Sequence, residues 1–230
     1  MTSAQQIRFD GVSVEFGDRS GLRDVSVMLT ERRIGVIGSN GSGKSTFARM
    51  LNALVLPTAG KVSVHGLDPA REAKQLRRRV GFIFSNPDAQ IVMPTVAEDV
   101  AFSLRGRGLS RAEVASRVAA TLATYGLTEH SAAPAHGLSG GQKQLLALSS
   151  VLIGEPSLVV ADEPTAMLDA ANTRRIGNHL LDELEQQLVL VTHDLRLARR
   201  CDVVLRFEEG RLVEQGDPSD VVDRYEREHA

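Results

Sequence analysis

The chain has 230 residues, 42% of them hydrophobic and 24% charged, with a formal net charge of −2. That composition supports one sizeable core and offers no global basic field for nucleic acid. A single cysteine, Cys201, excludes an internal disulfide and reads as a small buried hydrophobe in a reducing compartment. No apolar run reaches membrane-spanning length and no leader pattern opens the chain, so neither a membrane span nor export is expected.

Ile7, Phe9, Val12, Val14 and Phe16, then Val25, Val27 and Leu29, alternate apolar with polar and predict two antiparallel strands with one buried face. Ile34, Val36 and Ile37 read as a short buried strand, and Thr46 to Leu51 as a helix. Lys61 to His65, closed by Gly66, adds another half-buried strand, so a small β sub-domain is expected at the N-terminal end. Pro69 to Arg79 reads as a short helix ending in the basic run Arg77, Arg78 and Arg79, a solvated end that suits the helix's negative pole. Val80 to Phe84 reads as a buried strand, and Ser85 to Pro94 as irregular.

From Thr95 to Gly154 the pattern turns helical. T-V-A-E at Thr95–Glu98 and S-R-A-E at Ser110–Glu113 are capping boxes, and Leu145, Leu146, Leu148, Val151 and Leu152 mark a third amphipathic helix. Residues 95–154 therefore read as a helical sub-domain inserted in a single domain spanning 1–230. Alternation then resumes: a strand at Ser157–Ala161, a helix at Ala170–Gln187 capped by Asp169, and a strand at Leu188–Thr192. A hairpin pairs Val203–Phe207 with Arg211–Glu214, and a final helix runs from Pro218 to Ala230. The fold class is α/β, with a mostly parallel sheet whose ligand lies at the carboxyl ends of its strands.

Gly38, Ser39, Asn40, Gly41, Ser42, Gly43, Lys44 and Ser45 fit G-x-x-x-x-G-K-[ST], with a strand before and a helix, opening at Thr46, after. The glycines let backbone N–H groups turn inward into an anion nest. Lys44 would reach the β- and γ-phosphates of a nucleoside triphosphate, and the Ser45 hydroxyl would hold Mg²⁺. Asp162 and Glu163 follow the apolar run Leu158–Ala161. Asp162 would act through the metal's shell with Ser45, and Glu163 would take a proton from the attacking water. Leu138 to Gln142 reads L-S-G-G-Q and opens a helix, a second anion-binding design.

The order G-S-N-G-S-G-K-S, L-S-G-G-Q, V-V-A-D-E-P-T and Thr192–His193 resembles the ATP-binding cassette (ABC) family over nearly the whole chain. L-S-G-G-Q is that family's own signature. The resemblance implies a P-loop NTPase core, ATP hydrolysis with Mg²⁺, and a homodimer sandwiching two ATPs head to tail. Ser139, Gly140, Gly141 and Gln142 would act in trans on the partner's γ-phosphate. His193 matches the switch histidine, which joins Glu163 and Lys44 as a catalytic residue. Asp169 closes the D-loop, Ala166–Asp169, which crosses the dimer interface. Phe16 matches the aromatic ring that stacks on adenine, the alternative being a core strand residue.

One position departs from the family. Where a glutamine usually follows the strand V-G-F-I-F, this chain has Ser85; Gln90 offers an amide five residues on. The segment Asn86–Phe102 resembles the ATPases of energy-coupling factor (ECF) transporters, whose extra short helix, here Asp88–Met93, faces the transmembrane coupling subunit. Ser85, Asp88 and Gln90 are then the coupling region. This implies a peripheral protein on the cytoplasmic face of the membrane, with a transmembrane coupling subunit and a small membrane substrate-binding subunit as partners. The expected absence of a long C-terminal extension and the serine variant favour biotin as the cargo, with cobalt or nickel second. The rival class is a soluble ABC ATPase of DNA repair, translation or cluster assembly. Such proteins on nucleic acid tend to carry long coiled-coil arms, basic stretches or paired cassettes, whereas this chain has one cassette, no heptad run and a slight negative charge.

Overall fold

The computed structural model describes residues 5–229. Strands β1 (Ile7–Phe16), β2 (Arg19–Leu29) and, after the intervening β3 (Arg33–Ile37), β4 (Ala59–Val64) build an antiparallel sheet in the order β2-β1-β4. The alternation explains the register: Ile7 lies opposite Leu29 and Val64, and Phe9 opposite Val27 and Val62. These side chains share one buried face.

The second sheet has six strands in the order β5 (Val80–Ile83), β6 (Leu158–Asp162), β7 (Gln187–Val191), β3, β8 (Val203–Glu208) and β9 (Arg211–Gly216). All neighbours run parallel except β8 and β9, the expected hairpin. β6 and β7 are buried at every position, because elements cover both faces of the sheet. Leu158 and Val160 pack into one apolar cluster with Phe9 and Phe47; Val159 and Ala161 pack into the other with Leu146 and Leu148.

The helices are α1 (Lys44–Met50), α2 (Ala73–Arg79), α3 (Val96–Phe102), α4 (Arg111–Thr124), α5 (Gly140–Leu152), α6 (Ala170–Asn178), α7 (Leu195–Ala198) and α8 (Pro218–His229). Both expected capping boxes form, and Asp169 caps α6. A third box joins Ser139 and Gln142 at the start of α5, where the motif had drawn notice for its glycines.

Three expected elements differ. α2 starts at Ala73, because Asp68 and Glu72 tie the preceding residues into a turn: Asp68 accepts from Ala70 N–H at 2.8 Å, and Glu72 from Asp68 N–H at 2.9 Å. The helix expected at Asp88–Met93 is a single 3₁₀ turn at Pro87–Ala89, because the N–H groups of Val92 and Met93 donate to the Asp99 carboxylate. The helix expected to run to Gln187 ends as α6 at Asn178 and passes into a π-helical turn at His179–Glu183. Gln187 belongs to β7, where its buried amide accepts from His65 at 2.7 Å and donates to the Glu31 carbonyl at 2.8 Å. The last helix reaches His229; Ala230 lies outside the described residues.

Candidate active site

Three adjacent parallel strands place the candidate residues. β6, β7 and β3 are consecutive in the sheet, so their carboxyl ends open on the same edge. β3 runs into the loop 38–45, β6 ends at Asp162 just before Glu163, and β7 leads to Thr192–His193. The N–H of Glu163 donates to Val191 O at 2.9 Å and that of Thr192 to Val36 O at 3.1 Å, which extends the ladders to the site's edge.

The loop requires its glycines. Gly38, Gly41 and Gly43 have φ of 143°, 78° and 105°, and a Cβ at Gly38 would run into the carbonyl of Phe207. Ser39, Asn40 and Gly41 are exposed, while Ser42 is buried and its hydroxyl has no partner among the described residues. α1 begins with no side-chain cap and no acid in its first turn, which leaves its leading N–H groups for an anion. Lys44 is buried and donates to Gly38 O at 2.7 Å and Ser39 O at 2.8 Å. Burial pulls its pKa below the usual lysine value against the opposing pull of Glu163 and Asp162.

Behind the loop stand two polar pairs. The Ser45 hydroxyl donates to Asp162 Oδ1 at 3.0 Å. Burial holds the Asp162 carboxyl above its usual range, opposed by the Ser45 hydrogen bond and the charges of Arg49 and Lys44. Glu163 Oε2 accepts from His193 N–H at 3.2 Å and lies 2.7 Å from His193 Nδ1. Burial also raises the Glu163 pKa, with His193 as the main opposing group. Glu163 has φ of 53°, left-handed backbone that a non-glycine residue keeps only when its surroundings enforce it.

Phe16 ends β1 with its side chain half exposed, so it is not a core residue. Gly21 makes room for it: a Cβ there would stand 2.7 Å from the Phe16 ring and 3.2 Å from Thr46 Cγ2, which places the ring beside the start of α1. Gly21 was not singled out from sequence: it precedes the alternating run Val25–Leu29, and only the structure extends β2 back to Arg19.

The signature residues lie apart from these. Ser139 and Gly140 are exposed at the start of α5, Gly141 is buried, and Gln142 is half-buried. A Cβ at Gly141 would meet the Asn172 amide at 2.6 Å, so the signature abuts the start of α6. Asp169 is engaged within its own chain, accepting from Asn172 N–H at 2.8 Å and Nδ2 at 3.0 Å. Among the described residues no hydrogen bond joins 139–142 to the loop 38–45.

Ser85 is exposed just beyond β5. Gln90 does not supply a free amide: its Oε1 accepts from Phe84 N–H at 3.3 Å and its Nε2 donates to Ala147 O at 3.2 Å, pinning the segment to α5. Asp88 is also tied to α5, 2.7 Å from Lys143 Nζ. Sequence reasoning passed over Asp99, which is buried, holds Val92 and Met93, and accepts from the Ser150 hydroxyl at 2.9 Å. Its signal was masked by the neighbouring capping-box Glu98.

Residues 22–166 match the family model described as ABC transporter. The chain is 44% identical to the biotin transport ATP-binding protein BioM of Rhizobium etli, over 95% of this chain and 97% of the relative. It is 45% identical to the energy-coupling factor transporter ATP-binding protein EcfA1 of Symbiobacterium thermophilum, over 95% of this chain and 81% of that protein. Among solved structures, cbiO1 of Clostridium perfringens, described as part of the ABC transporter complex cbiONQ, superposes with a TM-score of 0.84 at 30% identity, covering 96% of this chain and 92% of the other.

Proposed function

The chain belongs to the ABC transporter family and couples ATP hydrolysis to transport, and within that family we propose that it is the energising subunit of an energy-coupling factor importer. One observation carries the catalytic assignment: the Ser45–Asp162 and Glu163–His193 pairs converge on the phosphate loop from adjacent strand ends. The uptake reading is supported by near full-length similarity to BioM and EcfA1.

The Ser45 hydroxyl and the Asp162 carboxylate form an oxygen-only donor pair of the kind Mg²⁺ prefers. Bound there, Mg²⁺ would neutralise charge on the β- and γ-phosphates. The other steps belong to the chain's own groups. N–H groups of residues 38–46 cradle the phosphates, and Lys44 exchanges its two carbonyl partners for phosphate oxygens. Phe16 stacks on adenine. Glu163 accepts the proton of the attacking water, and His193 divides its imidazole between Glu163 and the γ-phosphate.

Ser139, Gly140, Gly141 and Gln142 complete the site of a second copy, which makes the working unit a head-to-tail homodimer with Asp169 near the crossing. The helical block 95–154 is an inserted sub-domain of one domain spanning the chain. Closure moves the segment from Ser85 through Asp88 and Gln90 against a transmembrane coupling subunit at the cytoplasmic face. That subunit in turn reorients a small substrate-binding membrane subunit. Biotin is the favoured cargo and cobalt or nickel the second; another polypeptide selects it.

Affinity purification of the tagged chain from detergent-solubilised membranes of its own host tests this reading. The expected result is co-purification of two small integral membrane proteins, with labelled biotin uptake lost on Glu163→Gln. Recovery from cytosol alone, without membrane partners, would favour a soluble ABC ATPase instead.

A further inference from the structure

His130, which the catalytic reading does not use, closes the 3₁₀ turn Thr128–His130, twelve residues before Gln142. The Gln142 side chain makes two bonds. Its Oε1 accepts from Ser139 N–H at 2.9 Å, and its Nε2 lies 2.9 Å from His130 Nε2. Because Oε1 is committed to a backbone N–H, the end that faces His130 is the amino donor. His130 Nε2 must therefore present its lone pair and carry its proton on Nδ1.

The return bond of the capping box, from Gln142 N–H to Ser139 Oγ, is long at 3.4 Å. The placement of Ser139 therefore leans on the Gln142 amide, and the amide's orientation leans on His130. His130 itself has a stiff support. Its N–H donates to Leu127 O at 3.0 Å and its carbonyl accepts from Ala133 N–H at 2.8 Å. The carbonyls of Ser131 and Ala133 accept from Ala97 and Val96 N–H at 3.0 and 3.2 Å, which fastens the segment to the first turn of α3.

We propose that His130 is a positioning residue for the signature: it orients the Gln142 amide, which holds Ser139 in the geometry that meets the partner copy's nucleotide. This rests on the signature acting in trans. His130 touches no substrate and works through Gln142.

Two conservative variants separate the acceptor from the mere presence of a polar side chain. Glutamine carries an acceptor about as far from Cα as Nε2, whereas asparagine stops one bond short. With steady-state ATPase of the full chain as the readout, His130→Asn lowers kcat about three- to tenfold, the range expected for one lost neutral hydrogen bond. His130→Gln stays within about twofold of the parent. Binding of a fluorescent ATP analogue to the nucleotide-binding loop is unchanged in both. In a Gln142→Ala background, His130→Asn has no further effect, because the group it acts through is gone.

Equal rates for both variants, or an undiminished effect of His130→Asn in the Gln142→Ala background, overturn the proposal. Ser139→Ala separates the two levels. If Ser139→Ala slows turnover and His130→Asn does not, only the positioning role fails. If Ser139→Ala leaves kcat intact, the signature reading fails and the positioning role with it.

Discussion

Glu163 Oε2 lies 2.7 Å from His193 Nδ1 and also accepts the His193 backbone N–H at 3.2 Å. The carboxylate is therefore clasped by one residue through both its ring and its main chain. β6 and β7 are neighbours, so the contact follows from the sheet order. Glu163 makes this contact from left-handed backbone, at a cost of about 1–3 kcal/mol. Such strain is retained where the surroundings demand it, and here they hold a carboxylate at the strand end beside the loop 38–45. Glu163→Gln is expected to lower turnover by about 10²–10⁴ while ATP still binds. His193→Ala is expected to slow turnover as well. Phosphate release and nucleotide-binding titrations on the same samples check both.

The Ser45–Asp162 pair predicts the metal requirement. Asp162→Asn keeps the volume and removes the charge, so the Mg²⁺ concentration for half-maximal ATPase should rise by about 10–100-fold. Chelation should abolish hydrolysis in the parent chain. A Mg²⁺ titration at saturating ATP reads both outcomes.

Gly21 predicts adenine affinity without touching ATP. A methyl group at this position would stand 2.7 Å from the Phe16 ring and displace it. Gly21→Ala should raise KM for ATP by about two- to tenfold, the range of one aromatic stacking contact, with little change in kcat. Phe16→Ala should match it, and the double variant should be no worse than either single one. Steady-state kinetics across an ATP series decides this.

Asp88 predicts a pH-dependent stability. The Lys143 ammonium, foremost, and His136 hold its carboxyl below the ordinary 3.8. A lowered carboxylate pKa contributes stability above the unfolded value, and that contribution disappears as pH falls through the folded value. The Tm gap between the parent and Asp88→Asn should therefore be widest near neutral pH and close as pH drops below 3.8. Differential scanning calorimetry across that range checks it. High salt should narrow the gap at neutral pH as well, because the Asp88 end of the pair is exposed.

Ser85→Gln should leave ATP affinity little changed and alter the ATPase rate measured with the membrane subunits. Gln90 is held by Phe84 and Ala147, so it does not stand in for the missing amide. A coupled rate equal to the parent's would show that position 85 has no part in coupling.

The site was legible where local chemistry dictates geometry. The loop 38–45, the acids ending β6 and the boxes at Thr95 and Ser110 follow from spacing alone. The sub-domain strands followed because their alternation has a buried face on which to act. The misses are tertiary. The helix expected after Asp88 loses its N–H groups to Asp99, a residue from the next helix. The helix expected to reach Gln187 yields to a buried amide that binds His65 from a distant part of the chain. The contributions of Gly21 and His130 depend on what lies across from them, which no periodicity encodes.

ATP is expected to close two copies of this chain head to tail, and size-exclusion chromatography of Glu163→Gln with ATP checks it. With ATP and Mg²⁺ the variant should elute at twice the monomer mass, and with ATP and a chelator it should return to the monomer position. A Glu163→Gln chain that binds ATP yet stays monomeric with Mg²⁺ would contradict head-to-tail closure.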